Sequence, residues 1–150
     1  MFNKSRRFLA LILSVALVFG LCATASATER VSDGPFTYEN LEVYRILTGD
    51  TNQVSATIIF DTSDSDPISY SGTITITYTY ATSTDANPNT YMTDSESVSF
   101  RKNQDMKATC EVDIGGNYVL IDATAHFTAT ISLTSSTVDF HPNDLYICIL

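Results

Sequence analysis

Asn117–Thr134 reads NYVLIDATAHFTATISLT, and its patterning decides the fold. Every odd position from Val119 to Leu133 is apolar: Val119, Ile121, Ala123, Ala125, Phe127, Ala129, Ile131 and Leu133. From Asp122 to Thr134 every even position is polar. A period of two buries one face of an extended strand and leaves the other wet. Gly115-Gly116 leads into the run, and glycines that tolerate positive φ suit a tight hairpin. The run exceeds the usual strand length, so a bend or bulge is expected near Asp122–Thr124. The small inward residues Ala123, Ala125 and Ala129 call for large neighbours across the core; Tyr78, Tyr80 and Phe100 are the candidates.

Working outward, Ser71–Tyr80 alternates as cleanly, with Ile74, Ile76, Tyr78 and Tyr80 on one face and Thr73, Thr75, Thr77 and Thr79 on the other. Threonine is favoured on the wet face of a sheet, and this row is expected to be solvent-facing. Shorter alternations predict strands at Val54–Phe60, Glu96–Phe100 and Met106–Ile114. The apolar run Leu145–Leu150 predicts a well-covered final strand. Asn40–Leu47 fits a helix or a strand, and its β-branched and aromatic content favours the strand. Asp33-Gly34-Pro35 signals a turn, and Thr137–Asp144 signals a loop. About seven strands at short intervals predict an all-β domain, an antiparallel β-sandwich immunoglobulin-like in the broad sense. A small β-barrel is the alternative.

The amino terminus predicts export. Lys4, Arg6 and Arg7 precede the apolar run Phe8–Cys22, which is followed by Ala25-Ser26-Ala27. That order of basic, apolar and small residues marks a secretory signal peptide of bacterial type over residues 1–27, and the apolar run is too short to span a bilayer. Residues 28–37 are expected to be a flexible leader and residues 38–150 a single domain. Leu21, immediately before Cys22, is too bulky for a lipoprotein cleavage site. With no second apolar span, the mature chain is expected to be released.

Beyond Ala27 the chain carries 5 basic and 17 acidic side chains, a formal charge of −12. Such a chain is repelled by phosphate backbones, which excludes nucleic acid and anionic membrane surfaces as partners. The two cysteines of this part, Cys110 and Cys148, are an even pair in an exported chain. They predict one disulfide, adding about 3–4 kcal/mol by loop closure.

Candidate sites are few. Ala81–Ser95 is the longest loop, and Asn89 and Tyr91 within it are the candidate ligand-binding residues, for an extracellular protein or cell-surface ligand. Tyr70 and Tyr118, near strand ends, are further candidate contact aromatics. Asp61, Asp64 and Asp66 share one loop and are candidate calcium ligands, although such turns also form without metal; Asp139, His141 and Asp144 make a second acidic loop. No zinc-ligand spacing, HExxH motif or GxSxG elbow is present. The expectation is a non-catalytic binding module working through its loops. The alternatives are an assembly protein that pairs edge strands, and a hydrolase using His141 with Asp139 or Asp144.

Overall fold

The computed structural model describes residues 28–62, 68–82, 91–101 and 107–150. The export signal at residues 1–27, Asp64, Asp66 and Asn89 lie outside the described residues. The described chain is all β, with nine strands where about seven are expected. In chain order they are β1 (Glu29–Tyr38), β2 (Leu41–Gly49), β3 (Gln53–Thr62), β4 (Ser69–Thr82), β5 (Met92–Arg101), β6 (Lys107–Asp113), β7 (Tyr118–Ser132), β8 (Thr137–Phe140) and β9 (Leu145–Cys148). They form two antiparallel sheets, one ordered β1-β2-β3-β6 and the other β5-β4-β7-β8, with β9 also pairing β7. Their buried faces share one apolar cluster, an arrangement consistent with a β-sandwich.

The alternation explains the core. Leu41, Val43 and Leu47 of β2 and Val54, Ala56, Ile58 and Phe60 of β3 meet Ile74 and Ile76 of β4 and the odd-numbered residues Ala123–Ile131 of β7. Phe60 of one sheet stacks on Tyr70 of the other, ring centroids 3.8 Å apart. Tyr70, a candidate contact aromatic by sequence, is therefore a core residue. Gly72 is fixed by closeness: a Cβ there would stand 2.0 Å from the Thr128 carbonyl oxygen and 2.7 Å from the Phe100 ring.

The expected break in the long strand is present one residue early. Thr79 pairs Asp122 but Tyr80 pairs Leu120, so Ile121 is a bulge. An extra residue inverts the pleat, which is why Leu120, and not Val119 or Ile121, is buried ahead of the bulge. The freed Ile121 carbonyl accepts the backbone N–H groups of Ile149 (2.8 Å) and Leu150 (3.3 Å).

Residues 28–37 are not a leader. All but Thr28 belong to β1, which pairs β2 from Glu29↔Gly49 to Tyr38↔Leu41. The Asp-Gly-Pro signal marks a bulge within an edge strand, where proline's missing donor costs no ladder bond. Gly34 takes φ 117°, and its N–H is accepted by the Asp33 carboxylate at 2.8 Å. Before the bulge Asp33 sits opposite Arg45. Part of the expected loop Thr137–Asp144 is likewise strand β8, anchored by buried Phe140.

Arg45 is the large polar residue of the interior, with 1% of its side chain exposed. Its Nη2 donates to the Asp33 carboxylate and its Nη1 to the Asn143 carbonyl at 2.6 Å. The guanidinium lies 5.2 Å from the Phe36 ring centroid, 5.5 Å from Phe127 and 6.0 Å from Phe140. Such contacts are worth about 0.5–2 kcal/mol each once water is excluded. Its Nε finds no partner among the described residues.

The expected disulfide is not formed: Cys110 and Cys148 are both free thiols. Strand direction gives the reason. Cys110 points from β6 into the core, whereas Cys148 shares the exposed face of β9 with Tyr146. The strands belong to different sheets, β6 beside β5 and β9 beside β1 and β2. A disulfide needs its Cβ atoms about 4 Å apart and facing. Burial first, then the Glu96 and Glu111 carboxylates, push the Cys110 thiol up from its ordinary value.

Two outcomes follow from this packing. In the folded protein an alkylating reagent modifies Cys148, and Cys110 reacts only on unfolding; mass spectrometry of native and denatured samples reads the difference. Asp33→Ala strands a buried guanidinium and lowers unfolding stability by about 2 kcal/mol, more than Arg45→Met, which removes the charge along with its need for partners. Urea titration of the two variants checks the order.

Candidate functional site

Burial along the inner face of β4 falls off toward its end. Ile74 and Ile76 are fully buried, while Tyr78 and Tyr80 are half-buried against the core margin. These tyrosines belong to the face by alternation, and β4 carries them beyond the densest packing. Tyr78 and Tyr80 lie 5.8 Å apart, and Tyr118 at the start of β7 meets Tyr80 edge-on at 5.4 Å. Tyr118 is 38% exposed, so the three rings form a ledge that opens to solvent. Tyr91, which immediately precedes Met92, the partner of Tyr80, stands at the same end and is 55% exposed.

The ledge is acidic. Asp94 of β5 sits opposite Tyr78 and Glu96 opposite Ile76, both carboxylates on exposed positions of the edge strand. Burial, then Asp94, Tyr80 and Glu96, hold the Tyr78 hydroxyl above its ordinary pKa of 10.0. Aromatic faces carry negative quadrupoles, and their hydroxyls donate and accept. Three such rings beside two carboxylates suit a ligand with apolar surface and a hydrogen-bonding or cationic end.

The outer face of the same sheet is lined with hydroxyls. Register aligns Ser99–Thr73–Thr128, Ser97–Thr75–His126 and Ser95–Thr77–Thr124 in rows across β5, β4 and β7. Thr75 and Ser97 hydroxyls are 2.8 Å apart. The expected solvent row of β4 is therefore the middle of a three-strand array. His126 Nδ1 pairs with the Asp144 carboxylate at 2.7 Å, in the gap that β8 and β9 leave along β7.

The residues of the expected hydrolase alternative each have a place on this face. Asp144 serves His126, Asp139 accepts from the Thr130 hydroxyl at 3.2 Å, and His141 lies in a groove of about 440 Å³ with Ser71, Thr73, Ser99, Arg101 and Thr128. Of the first candidate calcium loop, Asp61 ends on an exposed position of β3, in a groove with Glu39 and Glu42. Among the described residues no three His, Cys, Asp or Glu side chains gather as a metal site. Sequence reasoning missed Tyr78, Tyr80, Asp94 and Glu96 as surface groups. Tyr78 and Tyr80 alternate like core residues, but carboxylates at Asp94 and Glu96, alternating with serines on a strand, were a visible signal of an edge.

No protein-family model matches this chain, and no curated protein matches it.

The raised Tyr78 pKa sets the direction of an alkaline effect. The folded state holds this proton more tightly than the unfolded chain, so its contribution to stability is intact below pH 10 and lost as pH climbs through the raised folded value. Tyr78→Phe makes the fall shallower, as urea titrations at successive alkaline pH values show.

Proposed function

We propose that this protein is an extracellular, non-catalytic binding module that seats its ligand on the tyrosine ledge of β4 and β7. The observation that carries this reading is the edge-on Tyr80–Tyr118 pair at the end of the core, with Tyr118 still 38% exposed. Tyrosine supplies large contact area at small entropic cost, and a rigid sheet holds the rings in place before a ligand arrives. Support for the extracellular setting comes from the signal-like sequence of residues 1–27, and the acidity of the remainder favours partners other than nucleic acid.

The module therefore works from a sheet end rather than from a loop alone. Tyr91 stands beside this end and is available to extend the contact. Labelled protein applied to an array of glycans and peptides tests the reading. Tyr118→Ala weakens retention at least about tenfold and lowers unfolding stability by about 1 kcal/mol, the loss of one edge-on ring contact at the core margin, so the folded state persists. Retention that survives Tyr118→Ala removes the ledge as the site.

A further inference from the structure

The outer face of the β5-β4-β7 sheet carries a second surface, at the end of β4 away from the tyrosine ledge. Register sets Arg101, Ser71 and Thr130 in one row across the three strands, and Ser99, Thr73 and Thr128 in the next. Alternation turns these side chains outward, because Ile74 and Ile76 of β4 and Phe127, Ala129 and Ile131 of β7 fill the core. β8 ends its pairing with β7 at Phe140↔Ala129, and Phe140 is buried, so the next residue, His141, comes to the outer side. The two rows and His141 line the groove of about 440 Å³. Ser71, Ser99, Arg101 and His141 are exposed there, and Thr73 and Thr128 are half-buried.

The groove differs in sign from the chain that carries it. Beyond Ala27 acidic side chains outnumber basic ones 17 to 5. Among the described residues that line the groove there is a guanidinium and an imidazole, and no carboxylate. Asp139, beside it, accepts from the Thr130 hydroxyl, and Asp144 holds His126. Among the described residues, the side chains of Arg101, His141, Ser71, Thr73, Ser99 and Thr128 have no hydrogen-bond or ion-pair partner. At physiological salt, charges more than about 8 Å away are largely screened, so these local groups decide what the groove attracts. A guanidinium takes a carboxylate on its planar fork. Hydroxyls both donate and accept, which matches the hydroxyls of a sugar ring. The volume lies within the range of about 300–1,000 Å³ usual for small-ligand sites.

We propose that this groove binds an acidic oligosaccharide, a chain of sugar units that bear carboxylates. One carboxylate meets the Arg101 fork. The hydroxyls of Ser71, Thr73, Ser99 and Thr128 exchange hydrogen bonds with the ring hydroxyls, and the His141 imidazole bonds a sugar oxygen on the β8 side. Arg101 and His141 stand on opposite sides of the groove, with β4 and β7 between β5 and β8, so an extended ligand reaches both. A phosphate or sulfate alone would satisfy Arg101 and leave the hydroxyl rows unused. A neutral sugar would use the rows and leave the guanidinium unmatched. The site is separate from the ledge, on the other face of the sheet, and has the opposite preference for charge.

The test is isothermal titration calorimetry of the purified protein in about 0.15 M salt. The probes are trigalacturonate, neutral maltotriose and inorganic pyrophosphate. Trigalacturonate is expected to bind, and the other two at least about tenfold more weakly. Arg101→Gln lowers the affinity for trigalacturonate about tenfold, the loss of one charge-assisted contact. Arg101→Lys keeps the charge without the fork and falls between the two. His141→Ala costs about threefold, the loss of one hydrogen bond. Both side chains are exposed, so thermal unfolding of the variants matches that of the parent. Tyr118→Ala leaves trigalacturonate binding unchanged. No binding of trigalacturonate, equal binding of maltotriose or pyrophosphate, or binding indifferent to Arg101→Gln overturns the proposal. Trigalacturonate binding lost with Tyr118→Ala and kept with Arg101→Gln assigns the sugar to the ledge and overturns the groove.

Discussion

A buried guanidinium governs this architecture. Arg45 sits among apolar side chains where an uncompensated charge would cost several kcal/mol. Everything around it answers that cost. The β1 bulge keeps Asp33 in register opposite Arg45, the turn before β9 brings the Asn143 carbonyl, and Phe36, Phe127 and Phe140 close the ring faces. These contributors come from both sheets and from the connection between β8 and β9. The cluster therefore fixes how the sheets sit on one another more specifically than apolar contact does, since hydrocarbon surfaces slide at little cost and a hydrogen-bonded fork does not.

Much of this was legible in the sequence where periodicity was strong. Ser71–Tyr80 and Asn117–Thr134 reveal their faces directly, and the length of the second implies its bulge. β1 was obscured because Asp33-Gly34-Pro35 carries the composition of a turn, and a bulged edge strand uses the same residues for the same φ requirement. β8 was hidden by its shortness, four residues with one deeply buried ring. Arg45 falls on the inward phase of Leu41, Val43 and Leu47, yet a charge at that position argues against burial until its partners are known, and these are distant in sequence. Cysteine count suggested a bridge; only the pleat shows that one thiol faces the core and the other the solvent. At the candidate site, local pattern marks Tyr78 and Tyr80 as core residues. It does not tell how far the opposite sheet extends, and that distance leaves them half open.

The two faces of the β5-β4-β7 sheet divide the surface chemistry. The outer one offers hydroxyl rows and the His126–Asp144 pair, all within reach of water. The inner one passes from a dry aliphatic interior to aromatic rings and then to carboxylates within a few strand positions. This gradient places polarisable, hydrogen-bonding rings on a support that the core already holds in place.

The Arg45 cluster also sets a clock. Its carbonyl acceptor, Asn143, lies 98 residues beyond Arg45, and the far edge of β7 is completed by β8 and β9, late in the chain. A chain synthesised from its amino terminus cannot assemble this cluster until those residues are made. Until then the guanidinium remains hydrated and the sheets lack their common anchor. Late closure leaves the guanidinium without its carbonyl partner until nearly the whole described chain is present.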